Sequence, residues 1–223
     1  MESVGTVLDL GCGIELLDLE WWATRTTRDE DPVPLNITGH GVNLGDKPAR
    51  KVPGVSYSKK DISDWQSSKK KYDVLWCHDV FQYLLNPYQA LANWWHLANP
   101  NAMLILSFPQ TVEVKNNVQE YDLPLGHHYH HTVVSLIRML ACAGWDCREG
   151  FFQKKPSDVW LNAIVYRSDA EPQNPLETTW YDLEEKQLIP ETAELSLQRY
   201  GRVRQRDLVL PWLDKSIAWM EQQ

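Results

Sequence analysis

Near the N-terminus, Val7-Leu-Asp-Leu-Gly-Cys-Gly13 sets a carboxylate two residues ahead of a Gly-x-Gly turn. Glycine lets a backbone approach a ligand closely and take left-handed turns. Asp9 can accept hydrogen bonds from a ligand amine or from the turn itself. Further along stand Asn43, Asp61, His78 and Asp79, polar residues that each follow or end a short apolar run. A denser titratable group comes later, at His127, His128, His130 and His131. Imidazole titrates close to neutrality, so His127 or His128 could act as general base on a hydroxyl or an amine. The same cluster could hold zinc, nickel or copper, or be a polar loop ahead of a helix. Lys59-Lys60 and Lys69-Lys70-Lys71 are too short for a nucleic-acid patch and read as solvated flanks.

These residues need elements to position them. Residues 5–10 are an apolar, β-prone run ending at the glycine turn, and residues 15–27 carry Leu16, Leu19, Trp22 and Ala23 at helical spacing. Strands are expected at 37–42, 55–57 and 72–77. Asn86-Pro87 then caps a helix reaching about Ala98, because Asn is a good N-cap and Pro suits the first helical position. Asn99-Pro100-Asn101 reads as a turn into a strand over 102–108, and 131–143 as a helix closed by Gly144. Runs at 147–152 and 160–166 are joined too closely for a parallel crossover, so they form an antiparallel pair. Strands alternating with helices define an α/β fold, a doubly wound and mostly parallel sheet with an antiparallel C-terminal edge. In such a sheet, ligands bind beyond the carboxyl ends of the strands, where the polar residues above fall.

The chain of 223 residues is long enough for one domain and an appendage. With 43% apolar and 23% charged residues it has a globular composition, which excludes whole-chain disorder. No apolar run approaches the roughly 20 residues of a membrane span, and no basic leader precedes the first strand. A net charge of −8 argues against nucleic acid as a partner. Four scattered cysteines without a Cys-x-x-Cys pair fit reduced thiols, so a cytoplasmic setting is expected, with no membrane and no metal site. Eleven tryptophans include the doublets Trp21-Trp22 and Trp94-Trp95, which suit core packing or broad contact surfaces. After Ser168 the composition turns to Pro, Asn, Glu and Thr, with eleven acidic and six basic residues. The expected division is a Rossmann-like domain over 1–168 and an extended arm over 169–223 with a terminal helix from about Pro211.

The order of these segments resembles a class I S-adenosylmethionine-dependent methyltransferase of the small-molecule type, from residue 4 to about 168. Val7–Gly13 matches the family's first motif. Gly41-Val-Asn-Leu-Gly45 stands where the family has an acidic residue on the ribose hydroxyls, and Lys60-Asp61-Ile62 matches its contact to the adenine amine. Residues 72–85 follow its fourth-strand pattern, and 97–109 its fifth. The resemblance implies S-adenosylmethionine as cofactor, bound by Asp9, Gly11, Gly13, Asn43, Asp61, Ile62, His78 and Asp79. Several positions depart from the pattern: Glu15 replaces the third glycine, Asn43 the ribose acid, and Gln82-Tyr83 a frequent Glu-His pair. Asn86-Pro87-Tyr88 is similar to the Asn-Pro-Pro-Tyr of amino methyltransferases, yet nine residues separate Cys77 from Pro87, so it reads as a helix cap. Two functions remain open. One is methyl transfer to a small-molecule or peripheral acceptor. The other is an inactive methyltransferase fold serving as a structural or adaptor subunit, for example of a viral particle, with the arm docking on a protein partner.

Overall fold

The computed structural model describes residues 5–26, 35–65, 70–109, 128, 131–153 and 160–213. Among the described residues, seven strands form one sheet: β1 (Gly5–Leu10), β2 (Ile37–Asn43), β3 (Val55–Lys59), β4 (Tyr72–His78), β5 (Ala98–Pro109), β6 (Trp145–Gln153) and β7 (Trp160–Arg167). Their order is β3-β2-β1-β4-β5-β7-β6. The first five run parallel, while β7 is antiparallel to both β5 and β6. The chain leaves β1 first toward β2 and later returns to β4, so the strand order reverses at the β1 tip and opens a crevice there.

The helices are α1 (Leu17–Ala23), α2 (Pro87–Leu97), α3 (Val133–Cys142), α4 (Trp180–Glu185) and α5 (Glu191–Tyr200). Asn86 caps α2 as expected, its Oδ1 accepting the Gln89 N–H at 3.1 Å, with Pro87 in the first position. Thr132 caps α3 through a reciprocal pair with Ser135. Helix α1 stops well short of the expected Thr27. Thr24 Oγ1 donates to the carbonyls of Glu20 and Trp21, and Arg25 Nε also donates to Trp21 O. Side chains thus occupy Trp21 O in place of the next backbone N–H, and the Arg25 N–H turns instead to Trp22 O. A second correction falls on Asn99–Asn101, which lies inside β5 rather than in a turn before it. Ala98 already pairs with Tyr72, and a register shift before Val74 absorbs the extra residues, with Asn101 at φ +61°.

Residues 169–213 do not form an extended arm. In this segment the apolar residues Leu183, Leu188, Ile189 and Ala193 are fully or nearly fully buried and join the same core as the sheet. Backbone bonds fix it along β6 and α3: Cys147 N–H donates to Leu188 O at 3.0 Å, and Gln173 N–H to Cys142 O at 2.8 Å. Arg138 adds a bond to Thr178 O at 2.7 Å. Enough apolar side chain lies within 169–213 to make self-packing favourable, and the extended reading overlooked it. Residues 211–213 form a turn, and the rest of the expected terminal helix, 214–223, lies outside the described residues.

Candidate active site

The β1 tip carries the first group of residues. Beyond Leu10, Gly11 N–H donates to Val42 O at 2.8 Å, drawing the turn toward β2. Gly11 and Gly13 both have positive φ, +95° and +63°. Their surroundings differ. A Cβ on Gly11 would fall 2.3 Å from Val80 Cγ2, whereas a Cβ on Gly13 would meet nothing within 4 Å. Gly11 is therefore demanded by close packing inside the protein, and Gly13 leaves its backbone open to a ligand. Glu15 is exposed.

Asp9 is buried between β2 and β4, in register with Gly41 and Trp76. Its Oδ2 has no hydrogen-bond partner. Burial, reinforced by the nearby Asp18 carboxylate, holds this carboxyl well above the usual aspartate range. Burial and Asp9 also push the Cys12 thiol up to about 12, so Cys12 is no thiolate nucleophile at neutral pH.

The tips of β2 and β3 supply Asn43, Asp61 and Ile62. Lys60 N–H donates to Asn43 O at 3.0 Å, which ties the two tips together. Asp61 Oδ1 accepts the Ser63 N–H at 2.8 Å in an Asx turn. Helix α2 holds this loop from the other side: Trp94 Nε1 donates to Ile62 O at 2.8 Å, and Asn93 Nδ2 to Ser63 O at 2.5 Å. Neither Asn93 nor Trp94 was recognisable as a site residue from sequence. Their partners lie about thirty positions away, and no spacing rule connects a helix interior to that loop.

A groove of about 440 Å³ opens between these tips. Gly11, Asn43, Asp61, Ile62 and His128 line it, together with an apolar wall that includes Leu44, Val80 and Leu84. His128 is fixed by its backbone, its N–H donating to Gln82 O at 2.9 Å. The remaining expected residues lie outside the lining. Asp9 lies two residues before the Gly11–Gly13 turn, and Gly13 is in that turn. His78 rests between Trp76 and Trp160, with ring centroids 6.0 and 5.6 Å away, and its Nδ1 lies 3.4 Å from Asp18 Oδ2. Asp79 is exposed, has φ +56°, and accepts a bond from Gln82 Nε2 at 2.7 Å. His127 lies outside the described residues. Val80, Asn93 and Trp94 are thus site-building residues added by the fold.

Comparison with known proteins gives this arrangement its class. The sequence family described as a methyltransferase domain matches residues 1–149, so this chain belongs to the methyltransferase domain family. The family's chemistry is S-adenosylmethionine-dependent methyl transfer, and S-adenosylmethionine is the cofactor. No curated protein sequence matches the chain. Among solved structures, a Listeria monocytogenes protein described as an S-adenosylmethionine-dependent methyltransferase superposes with a TM-score of 0.57 at 15% identity, covering 76% of this chain and 94% of its own. A methyltransferase from Mesorhizobium loti does so with 0.54 at 14%, covering 75% and 94%. The 1,6-didemethyltoxoflavin-N1-methyltransferase of Burkholderia thailandensis, solved with bound 1,6-didemethyltoxoflavin and S-adenosylhomocysteine, gives 0.55 at 15%, covering 74% and 72%. At such identities the likeness is one of fold.

The residues present fit that cofactor. A buried carboxyl oxygen without a donor, beside a turn whose second glycine faces open space, is suited to an ammonium-bearing ligand. The groove also falls in the size range of small-ligand sites, roughly 300–1,000 Å³.

Proposed function

We propose that this protein transfers a methyl group from S-adenosylmethionine to a small-molecule or peripheral acceptor, with the cofactor lying across the tips of β1 to β4. The observation that carries this reading is the single groove on which Gly11, Asn43, Asp61, Ile62 and His128 converge. In it, Asn43 would hold the ribose hydroxyls and Asp61 the adenine amine, with Leu44 and Ile62 offering apolar surface to the ring. Asp9 and Gly13 would serve the amino-acid end, with His78 and Asp79 next along at the β4 tip. The bound cofactor supplies a methyl group already activated on a sulfonium. The chain's own task is therefore mostly positioning, by holding the acceptor in line. Asn43 is neutral, so its bonds to hydroxyls lack charge assistance and the ribose is held less firmly than a carboxylate would hold it. His128, on the groove wall, removes a proton where the acceptor is a hydroxyl or a protonated amine, and His127 neighbours it in sequence.

Titration calorimetry with S-adenosylhomocysteine on the full-length chain tests the reading. Micromolar binding is expected, lost in Asp61→Ala and kept in His128→Ala. No binding up to millimolar ligand would overturn it and favour a methyltransferase fold retained as a structural or adaptor subunit.

A further inference from the structure

Ligands of a doubly wound sheet ordinarily sit beyond the carboxyl ends of its strands. A second cavity, of about 410 Å³, lies at the opposite, amino ends of β1 to β4. Thr38, His40, Ser56, Lys70, Lys71 and Tyr72 contribute to its wall, and none of the described residues lining it is acidic. In a chain of net charge −8 this is a local reversal of sign. A cleft lined by one sign of charge gathers the opposite ion. The acid that follows Tyr72, Asp73, is engaged elsewhere. It accepts from Thr6 N–H at 2.8 Å, Thr6 Oγ1 at 2.9 Å and Asn99 Nδ2 at 2.7 Å.

His40 and Tyr72 give the cavity its specific chemistry. Strand register sets His40 opposite Ser56, and His40 Nδ1 lies 2.7 Å from Ser56 Oγ. Ser56 Oγ donates in turn to Gly39 O at 3.3 Å, so it receives the Nδ1–H, and the ring's lone pair falls on Nε2. Burial and the Lys70 cation hold this imidazole below its ordinary pKa, which favours the neutral ring. Trp65 and Tyr72 stack beside it, with ring centroids 5.5 and 6.3 Å away. Tyr72 is 4% exposed, and its hydroxyl has no hydrogen-bond partner. Burial pushes that phenol up to about 12, so it keeps its proton and can donate. Buried hydroxyls are ordinarily paired, and this one lacks its acceptor.

The wall therefore offers a cation, a phenol donor and one accepting nitrogen. A carboxylate would satisfy the donors and leave Nε2 facing another lone pair. A phosphoryl group satisfies all three, because its second pKa of ~6 leaves it with both charged oxygens and a P–OH near neutrality. Imidazole titrates in the same range, so the two can share that proton. We propose that this cavity binds a small phosphate-bearing molecule, its P–OH donating to His40 Nε2 and its charged oxygens facing Lys70 and the Tyr72 hydroxyl. The cavity shares no lining residue with the groove at the carboxyl ends, and the proposal is independent of the methyl-transfer reading.

Imidazole 15N NMR of the full-length chain, titrated with sodium phosphate at fixed pH and ionic strength, tests it. His40→Gln identifies the His40 signals by their loss. Lys70→Ala changes an exposed side chain and leaves the fold in place. The expected result is a saturable shift of the His40 nitrogens at millimolar phosphate, weakened severalfold in Lys70→Ala. The S-adenosylhomocysteine titration of that variant should be unchanged. Sulfate carries no proton at neutral pH and should bind severalfold more weakly than phosphate. Glycerol phosphate, titrated in parallel, separates the sources: tighter binding assigns the cavity to a phosphate ester, and equal binding to free phosphate. No saturable shift overturns the proposal, as does an equal response in Lys70→Ala or to sulfate.

Discussion

The two glycines of the β1 turn look alike in sequence and differ in what they do. An alanine at Gly11 brings its Cβ 2.3 Å from Val80 Cγ2 in a left-handed backbone, so the substitution meets both clash and strain. At Gly13 only the strain is met, on the order of 1–2 kcal/mol. Gly11→Ala should therefore lower the urea midpoint clearly more than Gly13→Ala, and Gly11 is no neutral probe of cofactor binding. Asp9 makes a second argument at this scale. Its folded carboxyl keeps a proton that the unfolded chain releases near the ordinary aspartate value. Between those two values the folded state binds more protons, so stability falls as pH rises through that window. Asp9→Asn should flatten this dependence and raise the melting temperature at neutral pH, each ~1 kcal/mol relieved giving roughly 2–4 °C in a chain of this size. Melting curves from pH 4 to pH 8 check both the slope and its loss.

Among the elements, α2 has two jobs, packing the sheet and gripping the β3–β4 loop. Its start was legible because Asn86-Pro87 satisfies local rules of capping, and the structure has that cap. Its grip was not legible, since Trp94 and Asn93 reach Ile62 and Ser63 only after the chain has folded. A lost hydrogen bond of this kind costs about 1 kcal/mol and leaves the Ser63 carbonyl without its partner. Asn93→Ala should weaken S-adenosylhomocysteine binding by roughly tenfold, equivalent to ~1.4 kcal/mol. The fold should survive. Unchanged affinity with the same loss of stability would mean that the loop keeps its shape without the clamp. The short α1 and the early start of β5 were missed for a related reason: Thr24, Arg25 and the Tyr72–Ala98 pairing compete with simple periodicity.

For the molecule as a whole, the C-terminal residues are part of the core. Leu183, Leu188, Ile189 and Ala193 share one cluster with the sheet and with α3. Fully burying an aliphatic side chain of Leu or Ile size contributes roughly 1.5–3 kcal/mol. Three such side chains approach the entire net stability of an ordinary domain, roughly 5–15 kcal/mol. A chain ended after Ser168 should therefore lack a cooperative thermal transition and self-associate on size-exclusion chromatography. A compact monomeric 1–168 with a sharp transition would show that the C-terminal residues are dispensable for the core. In sequence this region read as an arm because Pro, Asn, Glu and Thr dominate it, and composition does not reveal which few apolar side chains are turned inward.

The sequence by itself determined the alternation of strands and helices, the antiparallel finish and the glycine turn at the end of β1. Each of these rests on short-range rules, such as periodicity of two or 3.6, a cap, or a connection too short to cross over. Motif order added the family. Tertiary structure alone decided that Gly11 answers to Val80 and that His78 sits against Asp18 and Trp160 outside the groove lining. It also decided that His128 enters the groove and that residues 169–213 close the core. The physical reason is that these outcomes depend on contacts between residues far apart in the chain. Burial, clash and unmet hydrogen bonds exist only where two such residues meet.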